Sequence, residues 1–169
     1  LENAVQLDPD FARAHAALAA NYWRVYDNNW ARSTGIPYSD ALEKTNQHLA
    51  EAMKHPTPLA YRTAAKQNFY FNESSKAIAQ AERAIALDPN DPYGYEAMGS
   101  ILVNLDRAAE GLDFINKAMR LDPQSDYLYR LGEAQFHLER YQEAAATMLR
   151  ATKRNPQNEW NYFLLAAAY

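Results

Sequence analysis

The residues able to do chemistry are few and scattered. The chain has four histidines, His15, His48, His55 and His137, and no cysteine, so thiolate metal sites, thiol nucleophiles and disulfides are excluded. His48 and His55 stand seven apart on one predicted helix, two turns from each other, too far for joint chelation without other ligands. His15 falls in a bulky packing slot, and His137 at a helix end where its charged form suits the dipole. None has a Ser or Asp at motif spacing, and no HExxH, phosphate loop or glycine-rich dinucleotide turn occurs. The carboxylates follow helix surfaces as a solvated face does, and Asn72-Glu73-Ser74, formally a glycosylation acceptor, reads as a turn between helices. The inventory predicts no enzyme within residues 1–169, no cofactor and no metal, so any catalysis would lie in an attached domain. Recognition remains. Arg62 and Lys66, one helical turn apart, can hold an acidic side chain or terminus.

These residues need elements to position them. With 169 residues, 48% apolar content and only 5 glycines, the chain can build a core. No run alternates with period two over a strand's length, so the fold class is all-α. The net charge of −4 and the absence of a Lys/Arg run argue against nucleic acid as a partner. No apolar stretch approaches the roughly 18 residues that span a bilayer, which predicts no membrane insertion. LENAVQLDPD lacks the features of a signal peptide. A chain without Cys fits a reducing, cytoplasmic compartment and is compatible with a periplasmic one.

Ala-x4-Pro occurs four times, as Ala4 to Pro9, Ala84 to Pro89, Ala118 to Pro123 and Ala151 to Pro156. The last three prolines are 34 and 33 residues apart, whereas Pro9 and Pro89 are separated by 80, two periods plus a surplus of 12. A period near 34 means stacked helical hairpins. In the clearest unit, Tyr95, Met98, Gly99 and Leu102 lie on a first helix, and Gly111, Ile115 and Ala118 on a second. Each helix thus has an apolar stripe with a small residue where the two backbones meet. Leu128, Leu131, Gly132 and Gln135, then Ala144, Met148, Ala151 and Pro156, repeat the spacing, as do Tyr61, Ala64, Ala65 and Asn68 with Ala77, Ala81, Ala84 and Pro89. An ordinary amphipathic bundle shares the periodicity but does not require small residues and prolines in register.

This spacing resembles the tetratricopeptide repeat (TPR). The resemblance implies a right-handed superhelix of about ten helices in antiparallel hairpins. The repeat units would be 58–91, 92–124 and 125–158, preceded by 12–57 with an inserted loop at 27–39. Residues 1–11 would end an earlier repeat, and 159–169 would be the first helix of a truncated one. Thr57-Pro58 and Asp91-Pro92 read as N-caps followed by Pro at the first helical position, and Asp88-Pro89 and Asp122-Pro123 as helix ends. Half-repeats at both ends predict self-association through Tyr162, Leu165, Tyr169 or the Leu1 edge.

In the irregular unit the helix is expected to run to Tyr26, break in DNNWARSTGIPYS and restart at Ser39 or Asp40, the latter as a capping box with Glu43. Trp30 and Tyr38 in this loop either fold back over the hairpin or form a docking loop.

The resemblance further implies a concave groove lined by first helices. Its expected exposed positions are Arg13, Ala16, Ala20 and Trp23, then Leu59, Arg62, Lys66 and Phe69, then Tyr93, Glu96, Ser100 and Val103. Asp126, Tyr129, Glu133 and Phe136 follow, and finally Trp160, Phe163 and Ala167. This groove is aromatic, basic at the first repeats and acidic toward the later ones, and fits a peptide or partner protein. Some of its aromatics would instead pack between repeats. Co-chaperones of the family bind chaperone tails through Lys and Asn. Ala16, Ala20 and Ala97 stand at those positions here, which argues against that ligand. The alternative is a regulatory region of a bacterial signalling protein, a nucleotide cyclase or winged-helix regulator, which the irregular first repeat resembles.

Overall fold

A computed structural model describes every residue except Asn29 and the side chain of Ala31, both within the expected loop at 27–39 and in those respects outside the description. The described residues form eleven helical segments and no strand. They are α1 (Glu2–Leu7), α2 (Ala12–Asp27), α3 (Ala31–Thr34), α4 (Tyr38–Ala52), α5 (Pro58–Tyr70) and α6 (Ser74–Leu87) in a first compact unit, Leu1–Asp88. A second, Pro89–Tyr169, holds α7 (Pro92–Val103), α8 (Ala108–Leu121), α9 (Leu128–His137), α10 (Tyr141–Arg154) and α11 (Glu159–Ala167).

Backbone rules set the boundaries. Thr57 Oγ1 accepts from the Ala60 N–H at 3.2 Å and an Asp91 oxygen accepts from the Tyr93 N–H at 3.0 Å, with Pro in the first turn of each helix. Asp8, Asp88, Asp122 and Asn155, each followed by Pro, leave the helical region with φ between −142° and −135° and so end α1, α6, α8 and α10. The hairpin turns share one geometry. Asn72, Asp106 and Glu139 have φ of 60°, 58° and 59°. The next N–H bonds back five residues, Glu73 to Asn68 O, Arg107 to Leu102 O and Arg140 to Gln135 O, at 2.8–3.0 Å. Each turn thereby satisfies a carbonyl at the end of the first helix.

Small residues let the helices approach. A Cβ on Gly111 would lie 2.7 Å from the Gly99 carbonyl oxygen and 3.0 Å from the Val103 nitrogen, so α7 and α8 touch backbone to backbone. In the first unit Ala16 and Ala19 of α2, Leu49 and Ala52 of α4, and Ala60 and Ala64 of α5 form one buried cluster. In the second, Val103, Ile115 and Ala134 join α7, α8 and α9, and Leu128, Met148 and Ala151 join α9 and α10, with Leu164 and Leu165 of α11 packed on them.

Two expectations for the irregular unit change. Its loop contains the helical turn α3, and α4 begins at Tyr38, with no side-chain cap from Asp40. Pro37, at φ −57° and ψ 149°, delivers the chain into the helix, and its carbonyl accepts from the Ala41 N–H at 3.0 Å. The Asp40 carboxylate accepts from the Ser39 hydroxyl instead. α4 also stops at Ala52, so His55 is not on the helix of His48.

Candidate interaction surface

In the first unit the expected recognition residues divide between surface and core. Arg13 and Lys66 are exposed, whereas Ala20, Arg62 and Phe69 are half-buried. Trp23 and Ala16, expected on the surface, are buried. Ala16 is covered by Ala60 and Ala64 because α5 packs on that face of α2, and Trp23 is only 4% exposed. Trp23 lies 5.4 Å from Tyr26, 5.5 Å from Tyr70 and 6.4 Å from Phe71, ring centre to ring centre, and its indole N–H has no hydrogen-bond partner. Tyr38 closes the cluster against Tyr26 at 4.5 Å. Trp30 is 50% exposed, and its carbonyl accepts from the Ser33 and Thr34 hydroxyls of α3. Tyr38 thus folds back over the hairpin while Trp30 faces solvent.

The sequence reading missed a polar cluster on α1, α2 and α4. The Nδ1 atoms of His15 and His48 are 2.9 Å apart, and His15 Nε2 lies 2.9 Å from the Pro9 carbonyl oxygen. A periodic signal was available: Tyr95 likewise reaches back six residues to the Pro89 carbonyl, and Asn161 to that of Asn155. His15 is buried because it holds this position.

In the second unit Tyr93 is 46% exposed on α7, and Tyr129, Glu133 and Phe136 are half-buried on α9. Val103, expected beside them, is fully buried against α8 and α9. Glu96 and Glu133 share one positive partner. Arg130 donates to Glu96 at 3.1 Å and to Glu133 at 2.9 Å, and its guanidinium lies 5.4 Å from the Tyr129 ring centre. Burial alone would lower the Arg130 pKa, but the two carboxylates outweigh it and the net shift is upward. The acidic end of the expected groove is therefore a network of net charge −1. Burial, with Glu133 adding to it, raises the Tyr129 pKa, and burial pushes Tyr127 up to about 12. On α11, Trp160 and Phe163 are each 65% exposed and Tyr162 is also exposed, as is Tyr169 beyond the helix end, while Leu165 packs inward. Asn161, rather than Tyr162, takes the buried slot on this helix.

Among the described residues no group of three His, Cys, Asp or Glu could hold a metal ion, and no helix is long and apolar enough to cross a membrane.

Comparison with known proteins agrees with this architecture. The family description "Tetratricopeptide repeat" matches residues 93–125 and again 125–158. Hsp70-Hsp90 organizing protein 3 of Arabidopsis thaliana is 28% identical over 120 residues, which cover 69% of this chain and 22% of the relative. The chain thus spans about a fifth of the length of that relative. Among solved structures, the thermophilic TPR protein TTC0263 of Thermus thermophilus superposes with a TM-score of 0.70 at 20% identity, covering 89% of this chain and 81% of that one. The first TPR domain of Spaghetti (RPAP3) bound to HSP90 peptide SRMEEVD has a TM-score of 0.61 at 21% identity, with 66% and 92% coverage. Two tetratricopeptide repeats are thus recognised in the chain, at 93–125 and 125–158, and its fold resembles that of solved tetratricopeptide-repeat proteins over most of its length.

Proposed function

We propose that this chain is a non-catalytic interaction module that binds a peptide or partner protein on the first helices of its repeats. The observation that carries the reading is the solvent-facing set Tyr93, Trp160 and Phe163 on α7 and α11, with Tyr129 and Phe136 half-buried on α9. Large aromatics on a surface give contact area at little rotamer cost, and exposed apolar patches of this kind mark interaction sites. In the first unit Arg62 and Lys66 supply a basic subsite for an acidic side chain or terminus. The likeness to a repeat domain solved with a chaperone peptide supports peptide binding as the mode. Ala16, Ala20 and Ala97 argue for a ligand other than that peptide. The net charge of −4 supports a protein partner over nucleic acid, and a cytoplasmic setting fits the lack of cysteine.

Arg62→Glu with Lys66→Glu is expected to weaken partner binding without unfolding the chain. Proteins retained by the immobilised wild type are identified by mass spectrometry, and their affinity for the variant is measured by calorimetry. Unchanged affinity removes this subsite, and titration with SRMEEVD tests the chaperone tail directly, with no tight binding expected. The exposed Trp30 supports a second reading, in which the lengthened first hairpin regulates an attached domain of a bacterial signalling protein. Self-association through Tyr162, Tyr169 or the Leu1 edge belongs to the proposal and predicts a mass that rises with concentration in light scattering.

A further inference from the structure

The His15 and His48 pair in the first unit has a defined proton arrangement. The Pro9 carbonyl oxygen can only accept, so His15 donates to it through Nε2–H. A neutral His15 then offers Nδ1 as an acceptor, and His48 must donate its Nδ1–H. The ring centres are 5.1 Å apart, with both nitrogens between the rings. A zinc ion on that line needs about 2.0 Å to each nitrogen, and a gap of 2.9 Å leaves no room for it. The site fits a proton.

The surrounding bonds converge on α1. Tyr22 stacks on His48 at 5.8 Å, its hydroxyl donates to Glu2 of α1, and the Lys44 ammonium donates to that hydroxyl at 3.3 Å. α1 has no buried residue of its own. It is held by Glu2, by the turn whose Pro9 carbonyl bonds His15, and by the half-buried Ala4 and Val5.

We propose that His15 and His48 form a pH-operated latch that docks α1 on α2 and α4 and releases it when both imidazoles are charged. One added proton is tolerated, because a His48 imidazolium still donates through Nδ1. A second sets two N–H groups and two charges against each other across 2.9 Å, so the rings must part, and the Pro9 bond goes with them. Glu2 on α1, Tyr22 on α2, and Lys44 and Glu51 on α4 are the other titratable groups facing this cluster. No charge from α5 reaches His48. Burial first, then the charges of His15 and Lys44, lower the His48 pKa, while Glu2 opposes them. A histidine with a lowered folded pKa binds fewer protons folded than unfolded, so its contribution is full above about pH 6.5 and is lost as pH falls through the folded value. Glu2, lowered chiefly by its Tyr22 bond and by Lys44, contributes above its ordinary value of 4.5 and is lost only in stronger acid. Release between those ranges therefore belongs to the histidines.

The test is nitrogen-15 relaxation on the whole chain. Order parameters of residues 2–8 are expected near about 0.85 at about pH 7.5 and below about 0.6 at about pH 5.0. Long-range proton–nitrogen spectra at the higher pH should show His15 protonated at Nε2 and His48 at Nδ1. His48→Asn supplies a non-titrating amide donor near the Nδ1 position and is expected to keep α1 ordered at both pH values. A wild-type α1 that stays rigid in acid, the opposite tautomers, or acid loosening retained in His48→Asn overturns the latch. Should that variant not fold, the wild-type relaxation and tautomer measurements decide the matter.

Discussion

The first hairpin, α2 with α4, and the hairpin of α7 with α8 solve the same closure problem differently. Both first helices end with an N–H bonding back five residues, Trp30 to Val25 O and Arg107 to Leu102 O, each at 3.0 Å. After Arg107 the second helix starts at once. After Trp30 come α3, Gly35 at φ 71° and Pro37 before α4 begins. The surplus therefore follows the closing turn and leaves the alanine seam of Ala16, Ala19 and Ala52 in place. Lengthening a loop costs little, about 0.6 kcal/mol per doubling. The long hairpin adds a ring cluster at its loop end, and the short one relies on glycine backbone contact.

Truncating the centre of that cluster is the severest way to break this contrast. Trp23→Ala is expected to destabilise the chain by about 3–5 kcal/mol in denaturant titration, as other deletions of buried tryptophan do. Trp23→Phe should recover most of the loss, because it keeps a ring against Tyr26 and Tyr70 and removes the unpartnered indole N–H. If Ala and Phe cost the same, the cluster does not stabilise the hairpin by ring packing.

In the short hairpin the corresponding probe is Gly111→Ala. The new methyl would press on the Gly99 carbonyl at 2.7 Å, and backbone cannot swing aside as a side chain can. A loss of about 1–3 kcal/mol is expected. Gly35→Ala provides the contrast, since nothing lies within 4 Å of its added Cβ and only the positive φ is penalised. Its expected loss is smaller, about 1 kcal/mol. Equal losses from the two would show that close helix approach is not what Gly111 provides.

The helix ends were legible because they depend on nearest neighbours. Thr57 and Asp91 before proline cap their helices, and Asp88 and Asp122 before proline end theirs. The surface was less legible because burial depends on distant segments. Trp23 is covered by Tyr70 and Phe71, which arrive from the end of α5. The Arg130 bond to Glu96 spans 34 residues, one repeat period, so pairing charges at that interval would have revealed it. The His15 bond to His48 spans 33 residues, but the inserted loop lies between them and hides the register.

The smallest effect concerns the shared turn. Glu139 holds a left-handed conformation at φ 59°, which costs a residue with a Cβ about 1–2 kcal/mol. Glycine removes that strain but loses about 0.5–1 kcal/mol more in backbone entropy on folding. The first term is larger, so Glu139→Gly should stabilise the chain by about 0.5–1 kcal/mol in denaturant titration. Asn72, at φ 60° in the equivalent turn, tolerates the region better, and Asn72→Gly should change stability by less than about 0.5 kcal/mol. A destabilised Glu139→Gly would mean that the side chain, and not only the turn, holds α9 to α10. The short hairpins would then depend on side chains at their ends as the first hairpin does.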